Sequence, residues 1–570
     1  VQNAAVAVTE GHVWTPPNVE HTSWPLLSLS WDENPCTQSV LSREMLTGPI
    51  HAIRRLVFCP MKMTHFWEVL RRSTTRPAKT EDDYDYPDDL PHVKINRLKS
   101  FRAREASELL LIPGEDLMLS SMFCQLWREL RQHNDEKLRI SYTHPMDDGQ
   151  SRTFKIKFEG EGVDDYGGPY REIFQQICEE LQSTDPSAGK SNRPSSWLLG
   201  EDKQTGVEGF ATASSAIAAG AAEIKSNSTD ATPVPTRCFL PLLMPTPNWT
   251  ADTDCAERYR YMFHPAAESP LKMDLYHFLG QLVGIAVRSK ITLDLAFPSY
   301  VWKYVVCERL TEHDIGSFDA SAYNTLQRLG SVHRALTAME AEKLRGETVD
   351  ASALAMLQYN ALELIGDLTW CYTRSDGVVL ELIEGRGQQP VELADVGKYL
   401  VLYAEARLSE GRNAIGMFRK GIVSILPESS LSLLNWEELQ AVICGPRTID
   451  VQRLKDNTEY DDDISPDDEH IVLFWEVLSG FSEAEKSAFL RFVWARPTLP
   501  PKGVEFSQKM RVLSAVGEDA HMKPDLYLPK AHTCFFSINL PKYSTKQVSI
   551  AYYLFYNSIV RFIYLFYSIH

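Results

Sequence analysis

Residues 271–288 are the stretch that most constrains how this chain can fold. Leu271, Leu275, Phe278, Leu279, Leu282, Ile285 and Ala286 fall on one face at helical spacing. Gly280 and Gly284 sit within the same helix. Without a Cβ they permit close approach of a neighbour. This is the strongest helical signal in the chain.

The chain has 570 residues, too many for one ordinary core, so two or more folded units are expected. The hydrophobic share, 44%, is that of a globular protein. The formal charge of −18 argues against a nucleic-acid surface, which calls for a basic stripe. Ten cysteines are scattered without a CxxC pair or a Cys/His ligand spacing. Neither a zinc site nor a disulfide framework is signalled, and a reduced intracellular setting is expected. The chain has no initiator methionine and no signal peptide, and reads as beginning inside a longer protein.

Residues 1–50 read as irregular or loosely helical. Apolar residues return over 48–72 as helical pieces, followed by an acidic, proline-broken run at 81–89 that reads as a solvated linker rather than a metal loop. An amphipathic helix is expected over 117–130, with Leu119, Phe123, Leu126, Trp127 and Leu130 on one face. FKIKF at 154–158 alternates as a strand, and Pro169 suits the first turn of the helix after it. A phosphate-cradling reading of Gly167 and Gly168 fails because the Lys-Ser/Thr ending is absent. Residues 182–236 are rich in Ser, Ala, Thr, Gly and Pro and read as a low-complexity insertion. Gly445, Pro446 and Arg447 break the chain. Beyond them, 470–478 and 482–494 form a helix pair, with Ser482 and Glu485 as a capping box.

The chemistry concentrates at 528–543, LPKAHTCFFSINLPKY. Phe536, Ile538 and Leu540 alternate with Ser537 and Asn539, the period of a half-buried strand. Pro529 and Pro541 bracket the unit. Cys534 then lies on a short loop between two strand-like pieces. Taken alone, a cysteine there is more often a small core hydrophobe than a nucleophile. His532, two residues earlier, either biases the thiol toward thiolate or orients the loop.

LPKAHTCF followed by LPKYST closely resembles the active-site loop of the HECT family of ubiquitin ligases. The strand–acid–Gly-Gly–Arg-Glu string at 154–174, the helix 271–288 with its sequel to 306, ILPESSLSLLNWEELQAVICG at 425–445, FWEVLSGFS and FLRFVWARPTLPPKG continue the resemblance in order. It covers residues 115–547. It implies an α+β, bilobal domain: a mostly helical amino-terminal lobe at 115–444, a hinge at Gly445, Pro446 and Arg447, and a smaller α/β carboxy-terminal lobe at 448–547. Residues 1–114 form a flank that looks most like the carboxy-terminal parts of the large HERC group. The resemblance implies that Cys534 carries ubiquitin as a glycyl thioester, with His532 and Thr533 supporting the loop. It further implies that a ubiquitin-conjugating enzyme docks within 310–384, with candidates at 310–329 and 353–364. Thiol–thioester exchange is nearly balanced, so no metal or organic cofactor is implied. Ubiquitin, the conjugating enzyme and protein substrates are the expected partners, and the cytoplasm, with the nucleus as a second compartment, the expected setting.

Residues 548–570, VSIAYYLFYNSIVRFIYLFYSIH, depart from that pattern. The run is near the roughly 20 residues of a spanning helix, but Asn557 and Arg561 near its middle make a membrane anchor costly. A variant core strand pair is a second reading, and a third is preferred: Gln547-Val548-Ser549 is what a splice donor encodes when translated, so the tail reads as an intron. Two other functions remain open. One is a catalytically dead module that binds conjugating enzymes and is disabled by the tail. The other is a cysteine hydrolase, which needs a distant His and Asn or Asp around Cys534.

Overall fold

The computed structural model describes residues 54–77, 86, 87, 89–108, 118–145, 149–161, 168–182, 239–249, 257–346, 350–366, 368–446, 448–494, 496, 498–500, 506, 508–515, 523–532 and 535–545. Thr533, Cys534 and Arg447 lie outside the described residues, as do 183–236 and 548–570.

The expected central helix runs Pro270–Arg288. Pro270 suits its first position, and Ser269 Oγ accepts from Lys272 N at 3.4 Å. Its neighbour is the helix Arg412–Ile425. A Cβ on Gly280 would lie 1.9 Å from the Phe418 carbonyl oxygen, and one on Gly421 1.8 Å from that of His277. A Cβ on Gly284 would meet the Ile425 side chain at 2.6 Å. The close approach that the glycines permit is realised as backbone-to-backbone packing. Around it Phe263 sits 5.2 Å from both Phe297 and Phe418, ring centre to ring centre.

The helix expected over 117–130 is interrupted at Ser121: residues 118–120 are helical, and a new helix runs Met122–Leu130. Ser121 caps it, its Oγ accepting from Cys124 N at 3.1 Å. The buried Glu180 carboxylate, from the helix Gly168–Leu181, accepts from Met122 N and Phe123 N at 2.9 Å each. A carboxylate at a helix amino terminus satisfies free N–H groups and opposes the dipole, which sets the start there.

The flank joins the same core. Met63, Phe66 and Leu70 of the helix Cys59–Arg72 are buried in it. Lys62 Nζ reaches the Glu438 carboxylate at 2.9 Å, and Arg54 donates to the Val306 carbonyl at 2.9 Å. The strand His92–Ile95 pairs in parallel with Lys155–Phe158. The helices Ala320–Leu344 and Ala351–Ile365 form an outlying hairpin. Met356, Tyr359 and Leu362 are exposed on it. Its root is held by the buried Arg407, which donates to Asp319 and Glu410 at 2.5 Å each and to the Thr373 carbonyl at 3.1 Å.

A second, separate core spans Ile449 to Tyr543. Helices Glu469–Gly480 and Glu483–Trp494 cover a four-stranded sheet. Its order is Thr458–Tyr460, Met510–Ser514, Ser537–Leu540, Lys530–His532. The first three strands are mutually parallel and the last is antiparallel. Ser537–Leu540 is buried at every residue, not alternately. The half-buried period fails because this strand is internal, and an internal strand with parallel pairing is covered on both faces.

Candidate active site

The sequence Lys530–His532 forms an edge strand, and Ser537–Leu540 runs back beside it with His532 opposite Ser537. The connection between them holds Thr533 and Cys534, which are not described, then Phe535 and Phe536. Phe535 is 63% exposed and Phe536 fully buried. Phe536 has φ +45°, a left-handed conformation that is strained for a bulky residue. Packing compensates: Phe536 stacks on Trp494, ring centres 4.1 Å apart and planes within 8°. Phe506 lies parallel to the other ring system at 6.0 Å, and the Arg496 guanidinium sits 4.4 Å above Trp494. The residue two places after Cys534 is thus anchored in the core, which pins the carboxy-terminal side of the loop.

The base of the same unit is clasped twice. Tyr543 Oη donates to the Tyr527 carbonyl at 2.9 Å. Ser544 donates to the Asp525 carboxylate from N at 2.9 Å and from Oγ at 2.5 Å. The Ser544 hydroxyl and amide hold the Asp525 carboxyl below its ordinary range.

His532 is exposed, and its Nε2 lies 3.0 Å from Asn539 Oδ1. Asn539 Nδ2 donates to the Ser514 carbonyl at 2.7 Å. Sequence reasoning missed Asn539, Trp494 and Asp525. Asn539 and Trp494 carry local signals only as strand and helix positions. Their roles depend on partners 7 and 42 positions away, which no period reveals.

Three other thiols are raised by their surroundings. Burial pushes Cys124 up to about 12 and Cys178 well above the ordinary thiol value. Burial and then Glu438 raise the exposed Cys59. A thiolate is the nucleophilic form, so none of the three is poised to attack near neutral pH. No group of three or more His, Cys, Asp or Glu that could hold a metal ion occurs among the described residues. Nor is any described helix long and apolar enough to cross a membrane.

Between the two cores the chain passes through Gly445 and Pro446. Gly445 has φ +78°, and a Cβ there would meet Thr498 Oγ1 at 1.9 Å. Contacts across this junction are polar: Arg491 pairs with Asp294, Arg496 donates to the Lys290 carbonyl at 3.2 Å and to Gln150 Oε1 at 3.4 Å.

A family model described as "HECT-domain (ubiquitin-transferase)" matches residues 241–552, more than half of the 570. E3 ubiquitin-protein ligase HERC2 of Homo sapiens is 28% identical over 458 residues, covering 80% of this chain and 8% of that protein. Probable E3 ubiquitin-protein ligase HECTD4 of Homo sapiens is 24% identical over 450 residues, 76% of this chain and 10% of that one. E3 ubiquitin-protein ligase TRIP12 of Danio rerio is 27% identical over 289 residues, 50% of this chain and 14% of that one. The chain therefore spans a small part of the length of these relatives.

Proposed function

The chain belongs to the HECT-domain (ubiquitin-transferase) family, and on that premise we propose that it takes ubiquitin from a conjugating enzyme as a thioester on Cys534 and passes it to lysines of protein substrates. In the first transfer the Cys534 thiolate attacks the donor thioester carbonyl, and the donor's sulfur leaves as thiolate. In the second a lysine amine attacks the new thioester, an isopeptide bond forms, and Cys534 leaves with the electron pair.

The observation that carries the reading is the family match through residue 552, which includes the Cys534 loop. The strands on either side of that loop, and the buried anchor at Phe536, support a presented rather than packed cysteine. One cysteine must face first a donor and then a substrate, which calls for a moving lobe. Two separate cores joined by polar contacts at Gly445 support a hinge at 445–447 between lobes at 115–444 and 448–547. The exposed Met356, Tyr359 and Leu362 support the outlying helical hairpin as the dock for the conjugating enzyme. The free thiols at Cys59, Cys124, Cys178 and Cys371 suit a reducing, cytoplasmic setting.

The test is a single-turnover assay with a ubiquitin-charged conjugating enzyme, resolved with and without reducing agent. A thiol-sensitive adduct that vanishes in Cys534→Ala is the expected result. A folded wild-type chain that forms no adduct overturns the proposal.

A further inference from the structure

The helical hairpin Ala320–Leu344 and Ala351–Ile365 stands on the larger core as an arm held at one end. Of the 25 residues in its first helix, Leu326, Leu329, Gly330 and Leu336 are the buried ones. In its second helix they are Ala361 and Ile365, both near the carboxy terminus. The first turn of the arm is fastened twice. Asp319 caps it, one carboxylate oxygen accepting from Ala322 N at 2.9 Å, while the other accepts from Arg407 Nη2 at 2.5 Å. Arg407 is itself fixed to the body. It lies, 1% exposed, on the helix Val396–Leu408 and donates to Glu410 at 2.5 Å and to the Thr373 carbonyl at 3.1 Å. The second fastening is the fully buried Asn248, which accepts from Ala320 N at 2.7 Å and donates to the Gly316 carbonyl at 3.1 Å.

An arm held this way amplifies any slack at its root. A helix of 25 residues is about 37 Å long, so a tilt of about 10° at the root carries the far end through about 6 Å. The same tilt moves Met356, nine residues before the Ile365 end of the second helix, by about 2 Å. Misplacement of a bound reactant by about 1 Å is enough to slow a reaction severely. We propose that Asp319, held by Arg407, and Asn248 are positioning residues that set the angle at which the hairpin presents a bound conjugating enzyme, and with it the rate of ubiquitin transfer rather than the affinity of docking. The inference rests on the reading of this hairpin as the dock.

Two measurements decide it, both on Asp319→Ser. Serine keeps an oxygen for the Ala322 amide, so the helix stays capped. It has no second oxygen for Arg407, which keeps Glu410 as its partner. The first measurement needs no ubiquitin. Spin labels are carried on unnatural residues at Leu344, at the end of the arm, and at the exposed Lys420 on the helix Arg412–Ile425. Their distance distribution should be narrow in the otherwise wild-type chain and should broaden in Asp319→Ser; an unchanged distribution overturns the inference. The second is single-turnover transfer from a ubiquitin-charged conjugating enzyme, with the affinity measured separately by titration. Asp319→Ser should slow transfer at saturation about tenfold with a dissociation constant within about twofold of wild type, whereas Met356→Ala should weaken the affinity. Normal transfer in Asp319→Ser with a loss only in Asp319→Ala, which removes the cap as well, assigns the effect to the cap and overturns the inference. An Asp319→Ser loss confined to affinity does so too. If the wild-type chain takes up no ubiquitin, the transfer reading fails, and the label distances still decide whether the root sets the angle of the arm.

Discussion

In the larger core the helices Pro270–Arg288 and Arg412–Ile425 meet backbone to backbone at Gly280 and Gly421. In the smaller core the strand Ser537–Leu540 is held through side chains instead, by Trp494 under Phe536 and Asn539 between two neighbours. The first arrangement leaves no room for adjustment, and suits a platform. The second fixes one side of a loop while leaving Phe535 and His532 exposed beside it, and suits a reactive edge. A backbone contact tolerates no added atom, whereas a side-chain stack tolerates substitutions of similar shape.

The comparison can be broken from either end. Trp494→Ala should be the largest effect, about 3–5 kcal/mol of unfolding free energy for the smaller core. Trp494→Phe should keep most of the stack. Denaturant unfolding of each variant measures this, and an Ala variant as stable as Phe breaks the anchor argument. Gly421→Ala should cost about 3 kcal/mol by forcing the two helices apart. Its unfolding should appear as a loss of protection from hydrogen exchange in the larger core with the smaller one unchanged. Gly445→Ala should cost about 1–3 kcal/mol from its positive φ, and more where Thr498 cannot yield; Thr498→Ala, which removes the Oγ1 that the new methyl would strike, should recover part of the steric cost and none of the backbone cost.

The pH dependence sharpens the comparison at the loop base. The Asp525 carboxyl is lowered in the folded chain, first by the Ser544 hydroxyl bond and then by the Ser544 amide. A lowered folded value means that this clasp contributes above the unfolded value, about 4, and is lost as pH falls through the folded one. The protection of 524–545 from hydrogen exchange, relative to an unstructured chain at the same pH, should therefore fall on acidification in wild type, and Asp525→Asn should flatten that dependence. Smallest of all is the pair Arg491–Asp294 across the junction. Both side chains are partly exposed, so Arg491→Ala should change stability by less than about 1 kcal/mol.

Much of this was legible from residue order. The 3.6-residue period and two glycines specified a buried helix with a close neighbour, and Gly421 is the glycine that answers them. Ser482 and Glu485 form the capping box their spacing implies, with Ser482 N donating to Glu485 at 2.7 Å and Glu485 N to Ser482 Oγ at 3.3 Å. The strand His92–Ile95 was not legible, because its pairing partner, the strand Lys155–Phe158, lies beyond the helices Arg97–Glu108 and Met122–Leu130. The break at Ser121 within the helix expected over 117–130 was not legible, because the carboxylate that caps Met122–Leu130 comes from Glu180, 58 residues on.

Sequence alone determined the central helix, the capping box at Ser482 and the family resemblance, because periodicity, caps and motif order are local properties that survive without coordinates. The tertiary structure decided that Ser537–Leu540 is internal, that Phe536 is strained over Trp494, and that His532 is wired through Asn539 to Ser514. Each of these is a contact between segments distant in the chain, and only the folded backbone brings such groups within hydrogen-bonding or stacking range.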